Sequence, residues 1–505
     1  MSLLGIDIGS SAVKAAAYRD TGSALARAEE PVPSRYPAPG QWETDPDEVW
    51  RATVRAVRRI TSSARVRKDP PAAVSVSASG RESFPARADG SALGPCLRTA
   101  DGRRPSPDAS ELLGGDREEW VRACGHVPDH MDPTNRLLWW DQTAPRTLAR
   151  ARWFLGWHEL VSLRMVGEPL IDPALASGFL AFDLASRDWA PDRVTTLGLD
   201  PRVLPRIVPW AAQVGRVRAP VARELGLPNG CRFVVGTFDG CCAAVGSAAV
   251  HEETAFLAVG SWESVVTPVA RTRFRPAAKA RLVVGPHPSV PGTGLWARSP
   301  NGSVAVAWAR SLTGVSLRDL DDRLRAAGPD PSPVVVVPHL SGAVVPWPDA
   351  LDSTGTIVGM SLATTGVDVV RGTLESIGME LALTLDALRR AGSRAEAWRV
   401  AGGGTRSPWW MQLKADLTGI PVEVAAEKEP GTMGAALLAG IGVGTYASLE
   451  EATGRVVVRT RFEPDAARRG RFAERMARYG NLVTGLLRLQ RPRPPGEGVA
   501  RAARG

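Results

Sequence analysis

GIDIGSSAVKAAAYRDTG, residues 5–22, is the stretch that decides the fold. An apolar run from Leu3 to Ile8, interrupted by Asp7, stops at Gly9-Ser10-Ser11. A second run, Ala12 to Tyr18, is broken only by Lys14 and stops at Asp20-Thr21-Gly22. Strand, tight polar turn, strand, turn is a β-hairpin opening a domain.

Outward from this hairpin, helical patterns alternate with short strands. Pro46 to Ile60 has apolar residues at helical spacing behind an acidic first turn, and Ala73 to Ser77 is a strand leading to Ser79-Gly80-Arg81-Glu82. Trp139 to Met165 reads as one long helical tract. Phe233 to Thr237 is a strand halted by Phe238-Asp239-Gly240, followed by a helix of small residues from Cys241 to Val250. The same grammar returns after His251: strands at 255–259, 334–338 and 398–401, and helices at 367–390 and 409–417. Strands mixed with helices in both halves predict two α/β units, 1–250 and 251–465. Residues 466–505 form an Arg-rich appendix: an amphipathic helix at about 471–489, then RPRPPGEGVARAARG, whose composition predicts disorder.

The chain has 505 residues, 44% of them hydrophobic and 23% charged, which excludes collagen-like, coiled-coil and wholly disordered classes. A net charge of +9 invites a nucleic-acid reading. The appendix alone, however, holds ten Arg against two Glu, leaving about +1 for the first 465 residues. The body therefore carries no basic footprint, and neither nucleic acid nor membrane is an expected partner. The five cysteines (Cys96, Cys124, Cys231, Cys241, Cys242) have no CxxC spacing and suggest neither zinc nor disulfides. MSLLGIDIGSS has no basic n-region, and Met433 to Val443 is too short to span a membrane, so a soluble cytoplasmic protein is expected.

Four strand-ending turns place Gly beside Ser, Thr or Asp: Asp7-Ile8-Gly9-Ser10-Ser11, Asp239-Gly240, Gly260-Ser261 and Gly402-Gly403-Gly404-Thr405. Glycine lets backbone amides approach a phosphate, and hydroxyls add donors. No GxxxxGK[ST] occurs, so the cradle is not a P-loop.

These residues resemble the FGGY-type carbohydrate kinases of the actin-like/hexokinase-like ATPase superfamily. The hairpin at 5–22 is similar to that superfamily's first phosphate hairpin, and GQWETDPDEVW (40–50) to the segment that follows it. MDPTNRLLWWDQ (131–142) is close to the first family signature, with Arg136 where Lys is usual. GEPLIDPALASGFLAFDLASRDW (167–189) resembles another first-half stretch, and GTIVGMSLATTGVDVVRGTLE (355–375) matches the second signature except at Gly372. AGGGTRSPWWMQLKADLTGIPVEV (401–424) resembles the adenosine segment, with EPGTMGAALLA (429–439) following at the expected distance.

The resemblance implies two actin-like (ribonuclease H-like) α/β domains flanking a nucleotide/substrate cleft. It implies ATP and Mg²⁺ as donor and metal, and a small sugar or polyol, such as a xylulose-like ketose, as acceptor. Asp239 matches the catalytic base, although Asp is also a good helix cap. Asp7, with Asp239, matches the metal-organising carboxylates. Gly9, Ser10, Ser11, Lys14, Gly260, Ser261, Gly402, Gly403, Gly404 and Ser407 are the implied nucleotide contacts. On the substrate side stand Arg81 and Glu82, resembling a polyol-binding pair, with Asp101 (partnered by Arg103), Asp239 and Gly240. Trp262 and Glu263 are placed near the cleft. Two departures bear on substrate choice: Gly240 replaces the usual polar side chain, and Ala343-Val344 replaces a Gly-Glu-Arg pattern. A homodimer is allowed for. The alternative is an actin-like nucleotide-binding regulator or scaffold without kinase activity, which retention of Asp7 and Asp239 argues against.

Overall fold

The computed structural model describes residues 1–289 and 292–490. The first half is built on strands β1 (Ser2–Ile8), β2 (Ala12–Arg19), β3 (Ala24–Pro31), β4 (Pro71–Ala78), β5 (Gln213–Arg216), β6 (Arg232–Val234) and β7 (Thr237–Phe238). The second half is built on β8 (Thr254–Val259), β9 (Glu263–Pro268), β10 (Val283–Pro286), β11 (Thr293–Ser299), β12 (Ala397–Ala401), β13 (Val422–Ala425) and β14 (Val458–Phe462). Each set forms a seven-stranded sheet, ordered β5-β6-β4-β1-β2-β3 with β7 also on β4, and β10-β11-β9-β8-β12-β13-β14.

The two sheets share a plan. Each starts with an antiparallel hairpin, β1–β2 or β8–β9, whose first strand also pairs in parallel with an incoming strand, β4 or β12. Gly9 N–H closes the first hairpin on Ala12 O at 3.1 Å, and Gly260 N–H closes the second on Trp262 O at 3.1 Å. The expected hairpin, Asp7 included, is therefore present.

The helices that matter to the site are α1 (Pro46–Thr61), α2 (Pro133–Thr143), α3 (Trp157–Val166), α4 (Asp239–Gly246), α5 (Ser303–Thr313), α6 (Gly366–Ala391), α7 (Pro408–Thr418), α8 (Pro430–Gly442) and α9 (Ala466–Gln490). Helix α1 follows from its sequence: Asp45 caps it, Asp47 and Glu48 lie in its first turn, and Val49, Ala52, Ala56, Val57 and Ile60 bury one face. The long tract expected over 139–165 is in fact broken. Pro145 has no N–H to continue α2 and starts a new short helix, Trp153–Leu155 leaves to pair with Phe84–Ala86, and a Glu159–Gly156 capping contact begins α3. The small-residue helix also stops early, at Gly246 rather than Val250.

The Arg-rich segment forms a docked helix. In α9, Phe472, Tyr479 and Val483 are buried, Tyr479 Oη donates to Glu380 Oε1 at 2.9 Å, and Arg468 and Arg475 pair with Asp416 and Glu375. The expected disorder of RPRPPGEGVARAARG concerns residues outside those described.

One packing contact ties the halves together. Helix α8, which lies late in the chain, packs against β1 and β4 of the first sheet and crosses α4. The crossing leaves no room for side chains. A Cβ on Gly434 would sit 1.8 Å from Cys242 O, one on Gly246 2.0 Å from Pro430 O, and one on Gly5 1.8 Å from Thr432 O. Replacing Gly434 by Val must push these backbones apart and is expected to cost at least about 3 kcal/mol, the upper range for overpacking. Thermal unfolding checks this: Gly434→Val should melt several degrees below wild type, and an unchanged midpoint would show that the crossing is looser than described.

Candidate active site

The ends of β1, β7, β8 and β12 meet on one cavity of about 410 Å³ between the two halves. Its wall includes Asp7, Lys14, Arg81, Asp239, Gly240, Gly260 and Gly402, so residues from all four glycine-marked turns or their neighbours converge there. Carboxyl ends of strands are where open α/β sheets place ligands.

Asp7 and Asp239 form the acidic centre. Ser77 Oγ donates to Asp7 Oδ1 at 2.5 Å. Withdrawal from water raises the Asp7 carboxyl above its usual range, although Ser77 and Lys14 oppose this. Asp239 is the first residue of α4, and its Oδ1 accepts the Gly240 amide at 2.6 Å. Burial, reinforced by the carboxylates of Asp7 and Glu82, pushes Asp239 up to about 8. Asp7 is thus close enough to Asp239 to act on it electrostatically.

Two helix N-termini aim at the same place. Asp239 and Gly240 begin α4, and Pro430 and Gly431 begin α8, and all four line the cavity. Amide groups at helix starts favour anions. Gly431 permits the approach, since a Cβ there would lie 2.7 Å from Asp7 Cγ. Lys14 Nζ reaches Glu429 Oε2 at 2.7 Å, fixing the hairpin to the start of α8.

The remaining expected nucleotide contacts divide. Gly402 is on the wall at φ 108°, where a Cβ would meet Val259 O at 2.6 Å, so only glycine fits. Gly9 lies in the first hairpin turn, and Ser10 and Ser11 are exposed at its tip. Ser261 is exposed beside Gly260, and Gly403 and Gly404 form a short turn after β12. Ser407 is otherwise engaged: its hydroxyl donates to Asp321 Oδ1 at 2.6 Å and caps α7 through the Trp410 amide.

On the substrate side, Arg81 lines the cavity, but Glu82 and Asp101 do not. Glu82 is buried behind the wall, accepting from Thr99 Oγ1 at 2.8 Å and from the Arg81 amide. Burial alone would raise its carboxyl, but Arg98 and its hydrogen bonds hold it below the usual value. Asp101 is fully buried, with its oxygens taken by Arg103 and the Trp42 amide at 2.6–3.0 Å. Of the expected pair, Arg81 therefore lines the cavity while Glu82 lies behind it, and the Asp101 oxygens are held by Arg103 and the Trp42 amide. Glu263 is also interior, paired with fully buried Lys414 at 2.7 Å, while Trp262 is exposed.

Arg136, the departure from the first signature, holds this loop. Its guanidinium donates to the carbonyls of Arg81, Leu97, Arg98 and Thr99 at 2.5–3.2 Å. Sequence reasoning missed several polar cavity residues, among them His126, Asp129, Arg281 and Arg298. The cluster His126-Val127-Pro128-Asp129-His130 was a visible signal, whereas Arg281 and Arg298 enter from the other half and had none.

The chain matches the models of the N-terminal domain (residues 2–246) and the C-terminal domain (residues 256–443) of the FGGY family of carbohydrate kinases. It is 28% identical to a glycerol kinase of Paracidovorax citrulli, covering 95% of this chain and 98% of that protein. It is 25% identical to the xylulose kinase of Escherichia coli, covering 96% and 99%. Its fold is similar to the crystal structure of xylulose kinase from Rhodospirillum rubrum, with a TM-score of 0.87 at 23% identity over 97% and 99% of the two chains.

The strand that delivers Asp239 is anchored by His158 of α3. Its Nδ1–H donates to Leu170 O at 2.8 Å, and its Nε2 accepts the Gly236 amide at 3.1 Å. Burial lowers this imidazole to about 4. Between pH 6.5 and 4 the unfolded chain binds a proton here that the folded chain does not, so His158 subtracts stability as pH falls through that window. A fully developed shift of this size corresponds to about 3 kcal/mol. His158→Gln keeps a donor and an acceptor but cannot titrate. Denaturant titrations at pH 7 and pH 4.5 should therefore show wild type losing about 2 kcal/mol more than the variant. Equal losses would contradict a neutral buried His158.

Proposed function

The chain belongs to the FGGY family of carbohydrate kinases, and from that premise we propose that Asp239 is the base through which it phosphorylates a hydroxyl of a small sugar or polyol. The observation that carries this reading is the pairing of Asp7 and Asp239 on one cavity wall, at the start of two helices.

The donor set fits Mg²⁺. No cluster of three or more His, Cys, Asp or Glu suited to a metal occurs among the described residues. Mg²⁺ does not require one, because it binds through one or two carboxylates together with phosphate oxygens and water. Asp7, with Asp239 beside it, would hold the ion. When bound, the ion neutralises charge on the phosphates of ATP.

The protein's own groups do the rest. The N-termini of α4 and α8 and the Lys14 ammonium receive the donor's phosphates, while Gly260 and Gly402 let the nucleotide lie against the backbone of the second half. The acceptor hydroxyl faces Asp239. As its oxygen bonds to the γ-phosphorus, its proton passes to the Asp239 carboxylate, the γ-phosphorus bond to the bridging oxygen breaks, and ADP leaves with that electron pair. Closure of the two halves, taken as 1–250 and 251–465, would exclude water from this exchange. The five cysteines are free and buried, as suits a reducing compartment, and we place the enzyme in the cytoplasm. Among the described residues, no helix is long and apolar enough to cross a membrane.

Asp239→Asn keeps size and hydrogen bonding but cannot take the proton. Substrate-stimulated ADP release should fall at least about a hundredfold, with ATP affinity by calorimetry within a few-fold of wild type. Turnover close to wild type would remove Asp239 from the role of base. ATP binding without stimulation by any sugar or polyol would favour the regulator or scaffold reading.

A further inference from the structure

Three guanidiniums, Arg81, Arg281 and Arg298, line the cavity, and the cavity-lining carboxylate that pairs with them is Asp129. Arg298 Nη2 lies 2.7 Å from Asp129 Oδ2, and Arg81 Nη1 lies 3.6 Å from Asp129 Oδ1, so this single acid serves two cations. Burial opposes ionisation of Asp129, yet Arg81 and Arg298 hold its carboxyl far below the usual range. Asp132 is 3.9 Å from Arg81 but already committed, with Oδ2 at 2.7 Å from His126 Nε2 and Oδ1 accepting the Thr134 and Leu180 amides.

Arg281 is the informative member. It sits in the turn before β10, in left-handed backbone at φ 53°, and its side chain makes no hydrogen bond or ion pair among the described residues. Burial lowers its pKa, with the neighbouring Arg117 adding to the effect, and burial likewise lowers that of Arg298. Arg81 Nη1 is also buried without a hydrogen-bond partner. The acids that act on Arg281, Asp129 and Asp349, are shared, Asp129 with Arg81 and Arg298 and Asp349 with Arg117. A ligand that brings a further negative charge therefore offsets the cost of burying this cation.

A neutral ketose or alditol offers hydroxyls only, whereas a carboxylate matches the planar donor fork of arginine and supplies the missing charge. Phe238 and Trp296 add aromatic wall to the same cavity, as suits a carbon chain between the two polar ends. We propose that the acceptor is a sugar acid, a polyhydroxylated chain whose carboxylate is held by Arg281 and Arg298 while a hydroxyl faces Asp239. This rests on the kinase reading above and narrows it from sugars and polyols in general to their carboxylic acids.

The test is ADP release from ATP over a panel of four- to six-carbon aldonates and uronates, the corresponding alditols and ketoses, and their monophosphates. The expected result is that the best acid exceeds the best neutral compound at least tenfold in kcat/KM. A neutral compound doing as well or better would overturn the proposal and leave the kinase reading intact. A preference for a sugar phosphate would overturn the carboxylate assignment. No turnover on any member, with ATP still bound, would defeat the kinase reading and the proposal together. Arg281→Met should lower the acid-to-neutral ratio at least tenfold, chiefly through KM for the acid, and Arg281→Lys should recover part of it. An unchanged ratio in an Arg281→Met protein with wild-type melting temperature would overturn the proposal. If Arg281→Met is unstable, Arg281→Gln carries the same expectation and the same consequence.

Discussion

Helices Asp239–Gly246 and Pro430–Gly442 pass each other with glycine on both sides of the contact, and the remainder of the site is arranged around that closeness. Bringing two backbones together without intervening side chains is possible only where neither carries a Cβ. The result is that the starts of two helices open into one cavity beside Asp7 and Asp239. The same contact ties a helix from late in the chain to the first sheet, so the acidic centre lies beside the junction of the halves.

How much of this the sequence revealed depended on distance along the chain. Hairpin β1–β2, the ends of β7 and β12, and the acids at Asp7 and Asp239 are local features, because a strand that runs into Gly-Ser or Asp-Gly declares its own end. Partnership between side chains is not local. Asp101 and Glu82 looked like ligands of a substrate, yet Arg103 and Thr99 had already taken their oxygens. Ser407 looked like a phosphate donor but is held by Asp321, 86 residues away. Arg281 and Arg298 reach the cavity from the second half, where no motif pointed to them. The long tract at 139–165 misled for a related reason: helical spacing continued through Pro145 and Gly156, but Trp153–Leu155 gained more from pairing with Phe84–Ala86.

Charge has to be judged at the scale of a few ångströms. The Arg-rich end dominates the net charge of the chain, but part of it is locally answered: Arg468 faces Asp416, Arg471 faces Asp330, and Arg475 faces Glu375. The exposed Arg471–Asp330 pair adds little, whereas Asp416 and Glu375 are buried, and their pairs help Phe472, Tyr479 and Val483 to seat α9. In the cavity the sum over the chain says nothing, and what counts is that one acid, Asp129, is shared by Arg81 and Arg298.

The grip of Arg136 has a consequence for how such a protein can change over generations. It fastens the loop by hydrogen bonds to four main-chain carbonyls. A carbonyl is the same whatever residue bears it. The Arg98 and Thr99 side chains hold Glu82 and Leu97 is buried, but the Arg81 side chain lines the cavity, so position 81 can be exchanged without releasing the carbonyl that Arg136 grips. A new substrate preference can be acquired there by single replacements, each tried on an already rigid mount.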